Sequence, residues 1–220
     1  VTVGATARFH SPGTANTFVG QAAGNFTLTG TDNSGFGFNA LTGLTTGTSN
    51  SAFGSGVLDA DTTGLNNTGF GASALSTNIN GSQLSAFGVG ALRDNSTSDD
   101  CSAFGFNALL LNTASSISGF GARALDANTT GTGNSAFGTD ALGANTTAAD
   151  SSAFGFNALL VGTGANNCAF GARAMDADTI GNANCAFGVD ALGAVISTNN
   201  NAAFGHNALR LSTGADNCAF

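Results

Sequence analysis

The stretch "SAFGFNALL" occupies residues 102–110 and returns unchanged at residues 152–160, and "AAFGHNALR" follows at residues 202–210. A looser version of it recurs along nearly the whole chain in steps of 16 or 17 residues. We number each repeat from its Phe as position 0, and an earlier repeat, "TFVGQAAG", carries Val19 at that position. Position 0 holds Phe36, Phe53, Phe70, Phe87, Phe104, Phe120, Phe137, Phe154, Phe170, Phe187, Phe204 and Phe220. A fixed short period of this kind indicates a stack of structural repeats.

The other positions of the repeat are also restricted. Gly follows Phe, Ala or Gly precedes it, Ala and Leu stand at positions +4 and +5, Thr is common at +9 and Asn at −3. If each repeat is one coil, equal positions stack at about 4.8 Å. Asn then suits a corner, where its amide can hydrogen-bond between coils. Gly suits a turn or a close backbone approach.

The period and composition together predict the fold class. A repeat of 17 residues is shorter than leucine-rich or helical repeats, and the density of Gly, Asn and Thr disfavours helix. We therefore predict an all-β, repetitive β-roll or β-solenoid of about 13 coils of 16–17 residues, each with two strands of about five residues. The array is expected to run through residues 16–220 and to stop partway through a repeat, after an irregular N-terminal segment or cap at residues 1–15.

Alternation along a strand divides the repeat into two faces. We interpret the Phe column from Phe36 to Phe204 as the structural core ladder, because each buried large apolar side chain stabilises by about 1.5–3 kcal/mol. Position −1, on the opposite face, carries only Ala or Gly from Gly35 onward. A strand that is apolar on both faces is usually covered on both. We therefore expect another copy of the chain to cover the small-residue face.

Two stretches carry a resemblance to known repeats. "NSAFGTDALGANTT" at residues 134–147 resembles the head repeats of trimeric autotransporter adhesins, and it is more similar still to the NTA-hydrophobic-G-x-x-AL repeats of bacterial and phage tail-fibre-like proteins. "NTFVGQAAGNFTLTG" at residues 16–30 is similar to the opening of such arrays. The resemblance implies a left-handed roll, a homotrimer, an extracellular or virion location, and a role as a fibre or adhesin.

Composition limits the partners. Only 8% of residues are charged, the net charge is −8, and the chain has no Lys and no Glu. Nucleic acid and anionic membranes need a basic patch, so we expect neither as a partner. The chain has no apolar run of 18 residues, so we expect no membrane insertion. The two His residues lie far apart, and the Asp residues lie mostly in turns or in the alternating charge pattern, so we predict no enzyme, no catalytic residue and no cofactor. Asp59 with Asp61 and Asp176 with Asp178 could recruit calcium at a turn, but neither pair matches a calcium-roll motif, so we predict no metal site.

Two further sets of side chains leave alternatives open. Arg123 and Arg173 at position +3 are each followed, one repeat later, by Asp140 and Asp190. This charge pattern indicates either a recognition stripe or an exposed ladder that avoids stacking like charges. Stacking also places Cys168 next to Cys185 within disulfide range. Alternatively, each Cys is a small buried substitute for Ser.

Our leading functional hypothesis is a structural fibre, stalk or filament of a cell or virion surface with an attachment role. Self-association, with a trimer favoured, is the expected partnership, and regions outside this segment would contact a surface glycan or receptor. The alternative hypothesis is an ice-binding β-solenoid that uses the Thr column.

Overall fold

The computed structural model describes residues 2–3, 7–10, 14–194 and 197–220. It divides into two compact units, Val1–Thr113 and Ala114–Phe220. Within each unit the chain forms a parallel β-solenoid in which every coil contributes one short strand, and the described residues contain no helix. The predicted class, an all-β solenoid of about 12–13 coils, is confirmed.

The described residues of the first unit form eight strands. They are β1 (Thr2–Val3), β2 (Ala7–His10), β3 (Thr17–Val19), β4 (Ser34–Phe36), β5 (Ser51–Phe53), β6 (Thr68–Phe70), β7 (Ser85–Phe87) and β8 (Ser102–Phe104). Strands β3 to β8 pair in parallel, each with the next. Within the N-terminal segment, expected to be irregular or a cap, β1 pairs antiparallel with β2, and β2 pairs antiparallel with β3.

In the second unit, seven strands lie within residues 114–194 and 197–220. They are β9 (Ser118–Phe120), β10 (Ser135–Phe137), β11 (Ser152–Phe154), β12 (Cys168–Phe170), β13 (Cys185–Phe187), β14 (Ala202–Phe204) and β15 (Cys218–Ala219). All consecutive strands of this unit pair in parallel and in register, so that Phe lies opposite Phe from β9 to β14.

The strands are shorter than expected, and each coil has one rather than two. The Gly at position +1 ends each strand with a φ near +140°, as at Gly37 and Gly105. The backbone then turns twice through the left-handed region, at positions +3 and +5, where Asn39 and Leu41 both have φ of 56°. A left-handed Leu is costly on its own, and here burial of the Leu side chain in the core accompanies the turn. A further left-handed residue stands at position −4, as at Asp32 with a φ of 61°, so the three-residue strand lies between left-handed turns on both sides.

The predicted core is wrong in its orientation. Position −1 points into the coil, where Ala52, Ala86 and Ala136 are completely buried. The rest of the interior consists of Ala at position +4 and Leu or Met at +5. The Phe residues predicted as the core ladder point outward and are only half-buried or exposed, and these are Phe36, Phe53, Phe70, Phe87, Phe104, Phe120, Phe137, Phe154, Phe170, Phe187 and Phe204.

The physical reason for this inversion is the narrow interior. Even a methyl group is excluded at some of its positions: a Cβ on Gly35 would lie 2.8 Å from Cδ1 of Phe18. Phe18 is the exception that defines the limit. It occupies position −1 of the first coil and is completely buried, and Gly24 replaces the usual Leu beside it. A ring therefore fits inside only where a neighbouring side chain has been removed.

The predicted Asn column is confirmed as a ladder between coils. The side-chain oxygen of Asn16 accepts a hydrogen bond from the backbone N–H of Asn33 at 2.8 Å, and Asn33 accepts in the same way from Asn50 at 2.9 Å. The amide nitrogen of Asn33 donates to the carbonyl oxygen of Gly47 at 2.9 Å. These residues are fully buried, so each amide satisfies backbone groups that would otherwise lack a partner.

The Gly column at position +1 yields a stability prediction. In Gly37→Ala, the new Cβ would overlap the carbonyl oxygen of Gly54 and lie 2.6 Å from its carbonyl carbon, at a φ of +140°. Backbone atoms cannot rotate away, so we expect a loss of about 2–5 kcal/mol from strain and overpacking together. Thermal unfolding followed by circular dichroism measures the loss.

Gly56→Asn is the matched control. Gly56 has a φ of +64°, its Cβ would meet nothing closer than 3.8 Å, and Asn39 and Asn107 occupy the same position in other coils. We expect this substitution to be neutral within about 0.5 kcal/mol. Equal destabilisation by both substitutions would contradict the close-approach account of the Gly column.

Candidate functional site

The outward Phe column is a continuous aromatic stack within each unit. From Phe36 to Phe104, consecutive ring centroids lie 4.5–5.0 Å apart with interplanar angles of 6–8°. From Phe120 to Phe220 the centroid separations are 4.4–5.2 Å and the angles 2–9°. Because each ring covers the faces of its neighbours, the edges of the rings are what remains for solvent.

A second outward column, at position +2, follows the bend after each Phe. It includes Phe38, Val89 and Phe106, which are 49%, 51% and 52% exposed. Phe156 and Val189 occupy the same position in the second unit and are exposed as well. On the other side of the stack, position −2 carries Ser, Thr, Cys or Ala. We call positions −2, 0 and +2 together the Phe face; none of them carries Asp or Arg in any repeat from residue 17 onward.

The charged residues at position +3 pair between coils, as their spacing predicts. Arg123 binds Asp140 through two hydrogen bonds of 2.6 Å, and Arg173 binds Asp190 through two of 2.8 and 2.9 Å. Each Arg side chain is nearly half exposed. Exposed pairs contribute at most about 1 kcal/mol. The geometry agrees with a ladder that avoids like-charge stacking, and the alternative, a recognition stripe, stays a prediction.

Two carboxylates lie inside the solenoid at position +8, where other coils carry Asn. Asp61 is completely buried; its Oδ1 accepts a hydrogen bond from the Gly64 N–H at 2.8 Å and its Oδ2 accepts one from the Asn67 amide at 3.3 Å. Burial raises the pKa of the Asp61 carboxyl from 3.8 to about 6, against the lowering effect of these hydrogen bonds. Burial likewise raises the pKa of Asp178, which has equivalent partners in the second unit.

The sequence indicated Asp61 and Asp178 only as possible calcium ligands at a turn and did not predict their burial, although a signal for it exists. Position +8 carries Asn78, Asn95, Asn112, Asn128 and Asn145, all fully buried. The Asn95 amide donates to Asn78 and the Asn145 amide to Asn128, so this column is a second polar ladder inside the coil. A column of Asn interrupted by Asp, read at fixed spacing, would have identified it.

The Cys pair lies where the spacing predicts. Cys168 and Cys185 are direct partners in the register of β12 and β13, both are half-buried, and both thiols are free in the structure. Burial, together with the neighbouring Cys185, raises the pKa of the Cys168 thiol from 9.0 to about 11. A thiol with such a high pKa is a poor nucleophile at neutral pH. The disulfide between them stays a prediction.

The Thr column at position +9 is half-buried or exposed. Its hydroxyls are already used as donors: Thr45 Oγ1 donates to the carbonyl oxygen of Thr62 at 2.9 Å, and Thr129 Oγ1 donates to that of Thr146 at 2.8 Å. The column therefore ties successive coils together.

The described part of the chain offers neither a metal site nor a membrane-spanning helix. No group of three or more His, Cys, Asp or Glu side chains there could hold a metal ion. The same residues include no helix that is long and apolar enough to cross a bilayer. The broadest candidate for function is therefore the Phe face.

Comparisons with protein-family models, with curated proteins and with solved structures find no match for this chain.

The buried carboxylate of Asp61 predicts a pH-dependent stability. Its folded pKa of about 6 lies above the ordinary 3.8, so the folded state binds the proton more tightly and the free energy of unfolding falls as the pH rises from about 4 to 6. Asp61→Asn, which carries the residue found in the following coil, should remove the contribution of Asp61 to this fall. We expect the free energy of unfolding of the variant to exceed that of the original chain by up to about 3 kcal/mol at pH 7 and by little at pH 4.

Urea unfolding at pH 4, 5, 6 and 7 measures the difference. Asp100→Asn, which alters an exposed carboxylate on the same unit, serves as the control and should leave the pH dependence in place. If the difference in free energy of unfolding between Asp61→Asn and the original chain does not change with pH, the buried charge is not its cause.

Proposed function

We propose that this protein is a structural fibre, stalk or filament component of a cell or virion surface, where it extends an attachment structure. The observation that carries the proposal is the unchanging register of the coils: within each unit, from β3 onward, every strand pairs with the next at equal positions, and Phe, Ala and Asn columns run through the stack. Each coil contacts mainly its neighbours, so adding repeats adds length without altering the contacts of the others.

The interior supports a structural role. It is filled by Ala, Leu and Asn side chains that are completely buried. Such an interior leaves the outward columns as the surface on which partners would bind. The resemblance to adhesin-head and tail-fibre repeats favours an extracellular or virion location, a homotrimer, and contact with a glycan or receptor through regions beyond this segment.

Tandem duplication of residues 104–153 tests the fibre proposal. Phe104 and Phe154 are equivalent positions 50 residues apart, so the insertion adds three coils in register. We expect particles in cryo-electron microscopy to lengthen by about 14 Å, three times the coil spacing. An insertion of the same 50 residues in scrambled order is the control, and it should not lengthen the ordered particle. Particles that do not lengthen on in-register duplication would contradict the proposal.

Ice binding by the Thr column remains the second candidate. Its support is the regular exposure of Thr at position +9, and its weakness is the interruption of the column by Ile79 and the use of the hydroxyls as donors to the next coil. If the column binds ice, the purified protein will show thermal hysteresis that Thr45→Val and Thr62→Val reduce. Freezing and melting points that coincide would remove this candidate.

A further inference from the structure

We propose that the Phe face is the surface on which a second copy of this chain docks side by side. This inference deepens the proposed function, because it names the face through which a fibre would assemble. It also replaces the small-residue column at position −1 as the contact surface, since that column is enclosed within the coil.

The stacked rings restrict what the Phe face can bind. Centroids 4.5–5.0 Å apart and planes within 8° of parallel leave each ring face covered by the next ring. A sugar ring or a base binds an aromatic side chain through the ring face, and that contact is not available at the stacked rings of position 0. What remains is a ridge of ring edges that repeats once per coil.

A second copy presents a ridge with the same repeat. Two ridges of equal spacing can interleave along their whole length, as identical side chains do between paired sheets in dry steric-zipper interfaces. A partner of another fold would match this spacing only locally. The fit in period therefore favours a copy of this chain over an unrelated protein.

The exposed apolar area in the first unit is large enough for an interface. Phe38, Val89 and Phe106 are about half exposed and Phe70 is 37% exposed. At roughly 150–250 Å² for a fully covered aromatic side chain, these four leave on the order of 350 Å², and the other half-buried Phe residues of β4, β5, β7 and β8 raise the total to roughly 500 Å². A standard interface buries about 800 Å² per partner, of which about 60% is apolar.

The distribution of charge points to the same face. The chain carries a net charge of −8, so two copies repel each other wherever their acidic surfaces meet. In the first unit Asp32, Asp59, Asp94, Asp99 and Asp100 all lie outside positions −2, 0 and +2. The Phe face is uncharged there, so contact through it brings no like charges together. The other exposed apolar residues of this unit, such as Leu65 and Ile79, stand in no apolar column.

Substitution at position +2 tests the proposal without removing the stack. The variant combines Phe38→Ser, Val89→Ser and Phe106→Ser; the chain already carries Ser55 at this position in another coil, so the coil accepts Ser there. The control combines Leu65→Ser, Ile79→Ser and Leu111→Ser, which have exposures of 41%, 48% and 41% and lie outside the Phe face. Circular dichroism checks that both variants fold.

Sedimentation velocity over a range of concentrations supplies the readout. The original chain should sediment as a multiple of 21.4 kDa. We expect the Phe-face variant to raise the concentration of half-dissociation at least about tenfold, from the loss of apolar contact area, and the control to leave it nearly unchanged. An original chain that stays monomeric up to about 100 µM, or a control that weakens association equally, would overturn the proposal.

Photo-crosslinking identifies the contact directly. A benzophenone amino acid in place of Phe106 should yield a covalent dimer whose crosslinked peptide contains residues of the Phe face, whereas the same group in place of Ile79 should yield none. Crosslinks that map elsewhere would refute the docking face even if the chain oligomerises. The fibre proposal can fail separately from the docking proposal. If the chain is monomeric but lengthens on duplication of residues 104–153, only the docking proposal is refuted. If it oligomerises but does not lengthen, only the fibre proposal is refuted.

Discussion

Backbone hydrogen bonds between successive coils, which hold equal positions over one another, are the constraint on which the rest of this structure depends. The Gly at position +1 donates to the Phe carbonyl of the preceding coil, as Gly54 does to Phe36 at 2.9 Å and Gly138 to Phe120 at 2.7 Å. Leu41 donates in the opposite direction, to Val57 in the following coil at 3.1 Å. Each residue is thereby held over its own equivalent, so a choice made in one coil must be compatible with the same choice above and below.

That constraint explains why the polar columns are so regular. A buried backbone N–H at the corner needs a partner, and an Asn at position −3 supplies one to the next coil while its own amide satisfies a carbonyl. The Ser98 hydroxyl donates a hydrogen bond to Asn95, and the Asn201 amide donates one to the Thr198 hydroxyl. Substituting Asp for Asn at position +8 keeps the acceptor and adds a charge, and the raised pKa of Asp61 is the result.

The same stacking makes the interior narrow and sends the large rings outward. Where Val57 replaces the usual Ala at position +4, its Cγ1 would lie 2.5 Å from a Cβ on Gly69, so one larger side chain in the interior already excludes a methyl group beside it. Ala fits this space in most coils, and Phe fits it once, at Phe18, where Gly24 and Gly35 make room. Displaced to the surface, Phe stacks on Phe, which covers the ring faces but leaves an apolar ridge. The Phe face is thus a consequence of the small core.

The sequence by itself determined the period, the register and the polar ladder, because a column of Asn, Gly or Phe at 16–17-residue steps is satisfied only if equal positions stack. It also determined that positions −1 and 0 lie on opposite faces, since strand side chains alternate. Only the tertiary structure decided which face is inside. Alternation along a strand does not say which of its two faces is buried. Hydrophobicity alone predicts that Phe is inside, but the closed coil has room for Ala and not for Phe. Only the tertiary structure also shows the left-handed turns at positions −4, +3 and +5 that flank each strand, because Leu, the usual residue at +5, has no preference of its own for that conformation.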